Sequence, residues 1–444
     1  MARKLKIGMI GCGNISALYT DIYAQLTDIA QIVATADIDP TRAASRAAGL
    51  TTAYSSEAFR QEAMMHNART RGQDEAHDAA RQSAEDAREA ASNEIRTYDS
   101  HIALLKDPEI DAVLVLTNPP IRGVPVVAAA EAGKHVFSEG PMAKSVQEAD
   151  EILAAVEKTG VTYVSQCGGR YTRGLAHARQ AISSGLMGPL AVAKLEINWY
   201  QPQSYYTRWH GTFEGEGGGA IFHHGRYVIE PFLYALGSPV VEVTAYSGPF
   251  VRDIEIDSYT LALVRYANGA VGIIQGSLLH HSHPKTPSAR MEFVGERASM
   301  VVFHEHTAPS FRTYPSGHPL PGAPAESILL ETGASALFHH DVSFASTNTP
   351  EVVSKLESLV ENVSELPEEP NQVSQSRLWV TCVLEGKPIP VPQSVGRQHA
   401  EFVRAAYKSA ELGQTVQLPL DTEDPYYSFE GRLTRPDWMP ELPA

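Results

Sequence analysis

The sequence predicts an α/β protein of two domains, a parallel sheet with crossover helices followed by a domain with a mostly antiparallel sheet. Up to residue 166, short apolar runs alternate with helical stretches, as in a parallel sheet whose strands are joined by helices. From residue 190 onward the apolar residues alternate with a period near two, which is typical of antiparallel strands. We therefore place the first domain at residues 1–166 and the second at residues 167–444.

The individual elements follow from the same patterns. In the first domain the predicted strands are residues 6–10, 32–37, 112–117, 135–138 and 161–165, and a helix is predicted at 145–159, where apolar residues recur every three or four positions. In the second domain the predicted strands are residues 191–200, 240–247, 259–266, 271–279, 289–294 and 415–418, with a helix at 396–412. Stretches rich in proline, at 307–324 and 365–370, are predicted loops.

Residues 56–92 interrupt this rhythm. They are rich in alanine and charge and contain no proline, so we expect one long inserted helix. Its apolar residues are too few to fold alone. One possibility is that the helix packs on the rest of the chain or on another subunit, and packing on another subunit would favour a homo-oligomer (dimer or tetramer). The other possibility is a solvated surface helix.

Composition and charge restrict the possible partners. With 52 acidic and 36 basic residues the formal charge is −16, which argues against a nucleic-acid or anionic-membrane surface. No stretch approaches the roughly 20 apolar residues that a membrane span needs. The three cysteines are too few and too scattered for a disulfide framework and favour a reducing compartment. We expect a cytoplasmic protein that acts on a small molecule.

The sharpest local motif is Gly11-Cys12-Gly13-Asn14-Ile15, between the first strand and a helix. Glycine permits a tight turn and a close approach of the backbone to a pyrophosphate, which the N–H groups of the helix start then bind. Asp37 ends the second strand, where an acid is placed for a ribose diol. These residues predict a dinucleotide site that prefers NAD, because Asp37 would repel a 2′-phosphate. Arg42 lies close enough to keep NADP as the less favoured alternative.

Four segments together resemble the Gfo/Idh/MocA oxidoreductases: the first strand with its glycine turn, residues 110–119 (IDAVLVLTNP), residues 131–143 (EAGKHVFSEGPMA) and residues 217–220 (GGGA). The resemblance implies an N-terminal Rossmann domain, a C-terminal α/β domain with a large open sheet, and NAD(P)-dependent oxidation or reduction of sugars, inositols and related polyols. It covers nearly the whole chain outside residues 56–92 and parts of 307–324.

The resemblance also implies roles for single residues of the first domain. Thr117, Asn118 and Pro119 would lie against the cofactor, and Glu139 would lie near the nicotinamide. The family's E-K-P motif is here Glu139-Gly140-Pro141, without the lysine that orients the reacting hydroxyl.

In the second domain the resemblance points to residues 223–227. Where most relatives have aspartate or asparagine and, four residues later, histidine, this chain has His223 and Tyr227. Some members use tyrosine at the later position as the acid/base. We expect Tyr227 to accept the hydroxyl proton with help from a histidine, His223 or His224, or from Arg226, because phenolate needs a nearby cation or donor at neutral pH. The alternative is a packed Tyr227 in a site without hydride chemistry.

The substrate-binding candidates surround this segment. They are Arg170, Trp209, His210 and Arg226. The rings of Trp199, Tyr200, Tyr205 and Tyr206 would suit the faces of a sugar, and they could equally belong to an interface or to the core. Other histidines cluster at 280–283, 304–306 and 339–340, but their spacing is not a known ligand signature, so we predict polar pocket or loop residues and no metal.

The sequence therefore predicts an NAD-dependent oxidoreductase acting on a sugar, glycoside or cyclic polyol. Two alternatives stay open. One is a hydrolase or lyase that retains NAD and works through a transient keto intermediate, and the other is a cofactor-binding protein without catalysis.

Overall fold

The computed structural model describes residues 3–167, 173–207, 209–281, 288–304, 327–329, 335–339, 342–346, 372–435 and 439. The chain forms two compact units. The first comprises residues 1–142, 150–166 and 371–393, and the second comprises residues 143–149, 167–370 and 394–444. The predicted loops at 307–324 and 365–370 lie outside the described residues.

The first unit is built on a parallel sheet in the strand order β3-β2-β1-β4-β5-β6. Its strands are β1 (Leu5–Ile10), β2 (Ala30–Ala36), β3 (Arg96–Tyr98), β4 (Ala112–Val115), β5 (His135–Ser138) and β6 (Tyr163–Ser165). This order is the doubly wound Rossmann arrangement, in which the chain reverses its direction of travel between β1 and β4. The sequence indicated every strand of this sheet except the three-residue β3.

The second unit contains the larger sheet, which has ten strands within the described residues, in the order β13-β14-β15-β12-β11-β7-β10-β9-β8-β16. Only the β7–β10 pair is parallel among them, so the prediction of a mostly antiparallel sheet is confirmed. The strands are β7 (Leu190–Asn198), β8 (Val240–Gly248), β9 (Tyr259–Tyr266), β10 (Val271–Ser277), β11 (Ala289–Gly295), β12 (Ala298–His304), β13 (Ser327–Leu329), β14 (Ser335–His339), β15 (Val342–Ser346) and β16 (Val416–Gln417).

In the chain the described helices lie between strands of the first sheet and between strands of the second. They are α1 (Ile15–Ala24), α2 (Pro40–Thr70), α3 (Asp74–Ser92), α4 (His101–Leu105), α5 (Gly123–Glu131), α6 (Val146–Thr159), α7 (Arg173–Ser183), α8 (Phe213–Glu216), α9 (Arg226–Leu236), α10 (Gln372–Glu385) and α11 (Ser394–Leu412). In the second unit Phe232 of α9 stacks on Phe293 of β11 with ring centroids 5.4 Å apart, which anchors α9 on the sheet. No described helix is both long enough and apolar enough to cross a bilayer.

The single helix predicted at 56–92 is wrong, because the segment is a hairpin of two helices. Helix α2 starts at Pro40, capped by the Asp39 side chain, and ends at Thr70, and α3 begins at Asp74. Gly72 in the connecting turn has a φ of +66°, which favours glycine and breaks the helix. The buried face of α3 is an alanine row, consisting of Ala80, Ala84, Ala87 and Ala90, that packs on α2 of the same chain.

Residues 371–393 were expected in the second domain but belong to the first unit. Helix α10 places Trp379 edge-on against Phe137 of β5, with centroids 5.5 Å apart, and Phe137 in turn meets Tyr19 of α1 at 5.8 Å. Trp379 is 1% exposed. The periodicity of a helix shows which face it buries but not which sheet it covers, and so this segment could not be assigned from the sequence.

Candidate functional site

The glycine turn after β1 lies where the first sheet reverses its order. Gly11 has a φ of +92°, and a Cβ at this position would lie 3.0 Å from the Leu116 carbonyl carbon and the Thr117 nitrogen, in the segment after β4. A side chain at Gly13 would meet nothing within 4 Å, so the space above the turn is open. Asn14 precedes α1 and Ile15 is its first residue. The turn thus offers the N-terminus of α1 to an anion at the switch point.

The Asp37 carboxylate is fixed beside this turn. Its Oδ2 accepts a hydrogen bond from the Cys12 N–H at 2.8 Å, and its Oδ1 accepts from the Asp39 N–H at 2.9 Å. A carboxylate has about four acceptor positions, so two remain for the hydroxyls of a ribose. Arg42 pairs with Asp39 at 3.4 Å. Burial raises the pKa of the Cys12 thiol to about 12, which disfavours the nucleophilic thiolate.

The segments after β4 and β5 meet through a buried arginine that the sequence analysis missed. Arg122 donates to the Thr117 carbonyl at 2.6 Å and to the Pro141 carbonyl at 3.0 Å. It thereby fixes the backbone at Thr117, where the segment with Asn118 and Pro119 begins. The Thr117 hydroxyl is buried without a hydrogen-bond partner among the described residues, as expected of a group that a ligand completes.

Glu139 follows β5 and is 3% exposed. It accepts hydrogen bonds from the Tyr19 hydroxyl at 2.6 Å and from the Gly140 N–H at 3.1 Å. Tyr19 was not among the predicted site residues, since a tyrosine in an apolar helix stripe is usually part of the core. These contacts orient the Glu139 carboxylate in a motif that has glycine in place of lysine.

In the second unit the three glycines 217–219 form a tightly packed turn. Gly217 has a φ of +83°, and a Cβ on Gly218 would lie 2.5 Å from the Tyr407 hydroxyl. A Cβ on Gly219 would overlap the Asp257 carbonyl oxygen. The turn therefore needs all three glycines, and it leads directly into a π-helical turn, Gly219–His224.

A buried aspartate and a buried histidine clamp this π-helical turn. Asp257 accepts from the Gly219 N–H at 2.7 Å, the Ile221 N–H at 3.0 Å and the Tyr407 hydroxyl at 2.5 Å. On the other side, His399 Nε2 lies 2.8 Å from the Ile221 carbonyl oxygen. Burial raises the pKa of Asp257, and these hydrogen bonds act in the opposite direction. π-Helical turns are frequent at functional sites.

The π-helical turn brings His223 and His224 to a glutamate that the sequence analysis did not select. Glu216 ends α8 and is completely buried. Its Oε2 accepts from the Gly211 N–H at 2.6 Å, and its Oε1 lies 3.0 Å from His210 Nδ1 and 3.9 Å from His223 Nε2. One ligand-type atom each of Glu216, His223 and His224 lies within 4.8 Å of the others.

Arg226 and Tyr227 form the first turn of α9, directly after the histidines. The buried guanidinium of Arg226 donates to the Tyr227 hydroxyl and to the His223 carbonyl. It also lies over the Tyr227 ring, 4.0 Å from its centroid. A guanidinium in this position stabilises the phenolate form of tyrosine. By contrast, burial and the Glu216 charge raise the pKa of Tyr205 far above its ordinary value.

Aromatic rings enclose the histidines. His210 lies between Trp209, at 3.8 Å between ring centroids, and Tyr205, at 4.3 Å. Trp199 meets the rings of His224 and Tyr227 at 6.3 and 6.4 Å. The structure thus places Trp209, His210, His223, His224, Arg226 and Tyr227 in one neighbourhood of the second unit.

Some predicted residues cannot be placed. Arg170 lies outside the described residues, as do His283, Glu305, His306, His340 and Asp341 of the other histidine clusters. His281 is described and stacks on Tyr200, with ring centroids 4.1 Å apart.

Two family models match the chain. Residues 57–166 match the model described as the oxidoreductase family with an NAD-binding Rossmann fold, and residues 175–301 match the GFO/IDH/MocA C-terminal domain. Together they cover more than half of the chain. The chain belongs to the Gfo/Idh/MocA oxidoreductase family. The first match begins at residue 57, after the glycine turn, and includes nearly all of residues 56–92, which were expected to fall outside the resemblance.

Curated Gfo/Idh/MocA relatives include dehydrogenases. The myo-inositol 2-dehydrogenase of Thermotoga maritima is 26% identical over 188 residues, 41% of this chain and 54% of that protein. The levoglucosan dehydrogenase of Pseudarthrobacter phenanthrenivorans is 23% identical over 227 residues, 46% of this chain and 58% of that protein. The chain thus spans about half the length of these relatives.

Solved structures show the same fold over almost the whole chain. The WlbA dehydrogenase from Bordetella pertussis, in complex with NADH and UDP-GlcNAcA, has a TM-score of 0.64 at 21% identity and covers 95% of this chain and 100% of its own. A levoglucosan dehydrogenase in complex with NADH has a TM-score of 0.62 at 18% identity and covers 94% and 100%. The Gfo/Idh/MocA family's two-domain fold is therefore present here.

Proposed function

We propose that the chain is an NAD-dependent oxidoreductase that moves a hydride between nicotinamide and a ring carbon of a sugar, glycoside or cyclic polyol. The observation that carries the proposal is the Tyr227 hydroxyl held by the Arg226 guanidinium, since an alcohol can lose hydride only as its hydroxyl proton leaves. The inositol and levoglucosan dehydrogenases among the relatives support the substrate class.

The first unit fits a dinucleotide. The open space above Gly13 admits a pyrophosphate, Asp37 has free acceptor positions for ribose hydroxyls, and the orphaned Thr117 hydroxyl offers a polar contact. When bound, the cofactor supplies the hydride acceptor. Asp37 supports NAD over NADP because its charge would repel a 2′-phosphate. Both cofactors occur among the relatives, with an NAD-dependent and an NADP-dependent scyllo-inositol dehydrogenase in Bacillus subtilis.

The second unit supplies the proton chemistry and the sugar contacts. Tyr227 accepts the proton of the reacting hydroxyl, and Arg226 stabilises the phenolate that makes this possible at neutral pH. A histidine, His223 or His224, assists this proton transfer, and the rings of Trp209 and His210 offer flat surfaces to the C–H faces of a sugar. Cytoplasmic location and homo-oligomeric assembly remain predictions.

The test has two parts. Calorimetric titrations with NAD and with NADP should show that NAD binds more tightly. Incubation with NAD and a set of polyols, including myo-inositol and levoglucosan, should then produce NADH for the accepted substrate. If neither dinucleotide binds, the proposal is wrong at its first step. If NADH forms equally fast when Tyr227 is phenylalanine, the proton acceptor has been assigned wrongly.

A second candidate function has a specific observation in its favour. Relatives named 2,7-anhydro-N-acetylneuraminate hydratase occur in Mediterraneibacter gnavus and Escherichia coli, each 28% identical over the aligned stretch. In this alternative the chain retains NAD and cleaves or hydrates its substrate through a transient keto intermediate, and Gly140 in place of lysine leaves room for a larger substrate. Product formation without net NADH would distinguish it from the dehydrogenase.

A further inference from the structure

The Glu216, His223 and His224 side chains form a cluster with the composition of a metal site. Their ligand-type atoms lie within 4.8 Å of one another, which a small rotation of side chains converts into a common coordination sphere. We propose that these three residues bind a divalent first-row transition metal ion. The sequence did not suggest this, since the glutamate stands seven residues before the first histidine and matches no known ligand spacing.

Charge balance around Glu216 supports a cation. The carboxylate is completely buried, and within the described residues its ion-pair partners are His210 and His223, with no lysine or arginine. A buried carboxylate is costly unless an opposite charge compensates it. An imidazole compensates the carboxylate charge only when it is protonated, whereas a divalent ion bound to Oε1 would compensate it without a proton.

The surroundings hold the ligands as outer partners of a metal site do. Gly211 N–H fixes Glu216 Oε2 at 2.6 Å, which leaves Oε1 toward the histidines. The ring of His223 is perpendicular to Trp209 and that of His224 is nearly perpendicular to Trp199, at 6.1 and 6.3 Å between centroids. The clamp of Asp257 and His399 on the π-helical turn fixes the backbone that carries both histidines. Outer hydrogen bonds to a ligand, such as that from the Gly211 N–H, orient the ligand and raise metal affinity.

The donor set selects the kind of ion. Two imidazoles and one carboxylate suit zinc, manganese, iron or cobalt, whereas magnesium and calcium prefer oxygen ligands alone. Three protein ligands leave coordination positions open, and the hydroxyl oxygens of a polyol could occupy them. This use of the ion rests on the proposed function, whereas metal binding itself does not.

The test uses the full chain, stripped with chelator, dialysed and titrated calorimetrically with ZnCl2, MnCl2 and, for comparison, MgCl2. We expect one Zn²⁺ or Mn²⁺ per chain and no heat from Mg²⁺. Loss of a ligand should weaken binding by at least about 100-fold, the upper end of what loss of an outer partner costs. The variants are Glu216→Gln and His223→Asn, and His66→Asn on the exposed face of α2 is the matched control.

Cobalt gives an independent readout, because Co²⁺ held by three protein ligands at a coordination number of four or five absorbs visible light much more strongly than octahedral aqueous Co²⁺. If Glu216→Gln fails to fold by circular dichroism, His223→Asn carries the test, since His223 is partly exposed. Equal metal affinity and equal spectra in wild type and His223→Asn would overturn the proposal, as would a wild-type chain that binds no Zn²⁺ or Mn²⁺. No cofactor or sugar is present, so this failure is distinct from a failure of the proposed oxidoreductase activity.

Discussion

Arg226 and Tyr227 are neighbours in sequence, and the guanidinium of the first lies over the ring of the second at 4.0 Å from its centroid while donating to its hydroxyl. A second tyrosine nearby has the opposite environment, because the Tyr205 hydroxyl donates to the Glu216 carboxylate at 3.4 Å. A cation favours phenolate and an anion favours phenol. Two tyrosines in one neighbourhood thus have opposite electrostatic environments, and our proposal that Tyr227 is the proton acceptor depends on this difference.

Replacement of Tyr227 by phenylalanine tests the acceptor role. Turnover on an accepted substrate should fall by roughly 10²–10⁴-fold, the usual contribution of a positioned general base, while NAD affinity stays nearly unchanged. Steady-state kinetics and calorimetric titration measure the two effects separately. Tyr234→Phe, seven residues later on α9, is the matched control and should retain full turnover. Full activity of Tyr227→Phe would transfer the role to His223 or His224.

Replacement of Asp37 by serine tests the cofactor preference. The change removes a carboxylate that accepts from the Cys12 and Asp39 N–H groups and has positions for ribose hydroxyls. Hydrogen bonds between this charged carboxylate and the ribose hydroxyls contribute about 1.5–3 kcal/mol. Their loss should therefore raise the Kd for NAD about 10- to 100-fold. The preference over NADP should narrow or reverse. Asp39→Asn removes a nearby charge and should keep the preference, and tighter binding of NADP by wild type would contradict the assignment of Asp37.

Replacement of Asp257 by asparagine tests the clamp on the π-helical turn. The amide nitrogen cannot accept from Gly219 or Ile221, so one buried N–H loses its partner. We expect a loss of about 2–4 kcal/mol in the free energy of unfolding, measured with urea, and a loss of activity. Tyr407→Phe removes one hydrogen bond to the same carboxylate and should cost only about 1 kcal/mol. Equal costs for both variants would show that Asp257 has no special part in the turn.

The first unit should lose stability below neutral pH because of His135. Burial lowers the pKa of this histidine, and its Nδ1 accepts from the Thr162 N–H at 2.9 Å, which the imidazolium cannot do. The unfolded chain therefore binds this proton at a higher pH than the folded chain. The contribution of His135 to the free energy of unfolding is complete above the pKa of about 6.5 that histidine has in the unfolded chain. It is lost as the pH falls toward the lower pKa of His135 in the folded chain.

Amide hydrogen exchange at Thr162 measures this effect. Protection should fall between about pH 7 and pH 5, after correction for the intrinsic exchange rate. In His135→Asn the asparagine side chain can accept a hydrogen bond at either pH, so the protection of the Thr162 amide should fall less. His66→Asn, at an exposed position, is the control and should behave like wild type. Identical pH profiles for all three chains would rule out the His135 contribution.

We still predict that the helix hairpin forms a contact between subunits, but not through its alanine row, because that row packs on α2 of the same chain. Phe59, 73% exposed, and Met64, 48% exposed, are the large apolar side chains that α2 leaves outside. If a second copy covers them, Phe59→Ser with Met64→Ser should lower the sedimentation coefficient toward that of a monomer. Val124→Ser, also exposed but on α5, is the control. An unchanged coefficient would identify the hairpin as a surface arm.

Much of the first unit could be predicted because its signals are local. Gly11, Gly13 and Asp37 sit at fixed offsets from two apolar strands, and such offsets determine where the backbone turns. The break at Gly72 was also visible as a glycine in a helical stretch, but the high helix propensity around it concealed the turn. A propensity averaged over a long window does not identify one residue with a positive φ.

The remainder of the site depends on contacts between distant residues. Asp257 reaches the π-helical turn from a loop before β9, and His399 reaches it from α11. Glu216 could have been suspected as an acid just before three glycines, but nothing local shows that its side chain turns back toward His223. Chemistry assembled by folding over such distances leaves no periodic pattern in one sequence.

The return of residues 371–393 to the first unit has a consequence during synthesis. Phe137 of β5 is translated early, but Trp379, which covers it, follows only after residues 167–370 of the second unit. A growing chain therefore carries an incompletely covered first core until α10 has left the ribosome. A fragment that ends at residue 166 would keep this exposed patch permanently, so expression of the dinucleotide-binding half should require α10 to be appended, in cis or as a separate peptide.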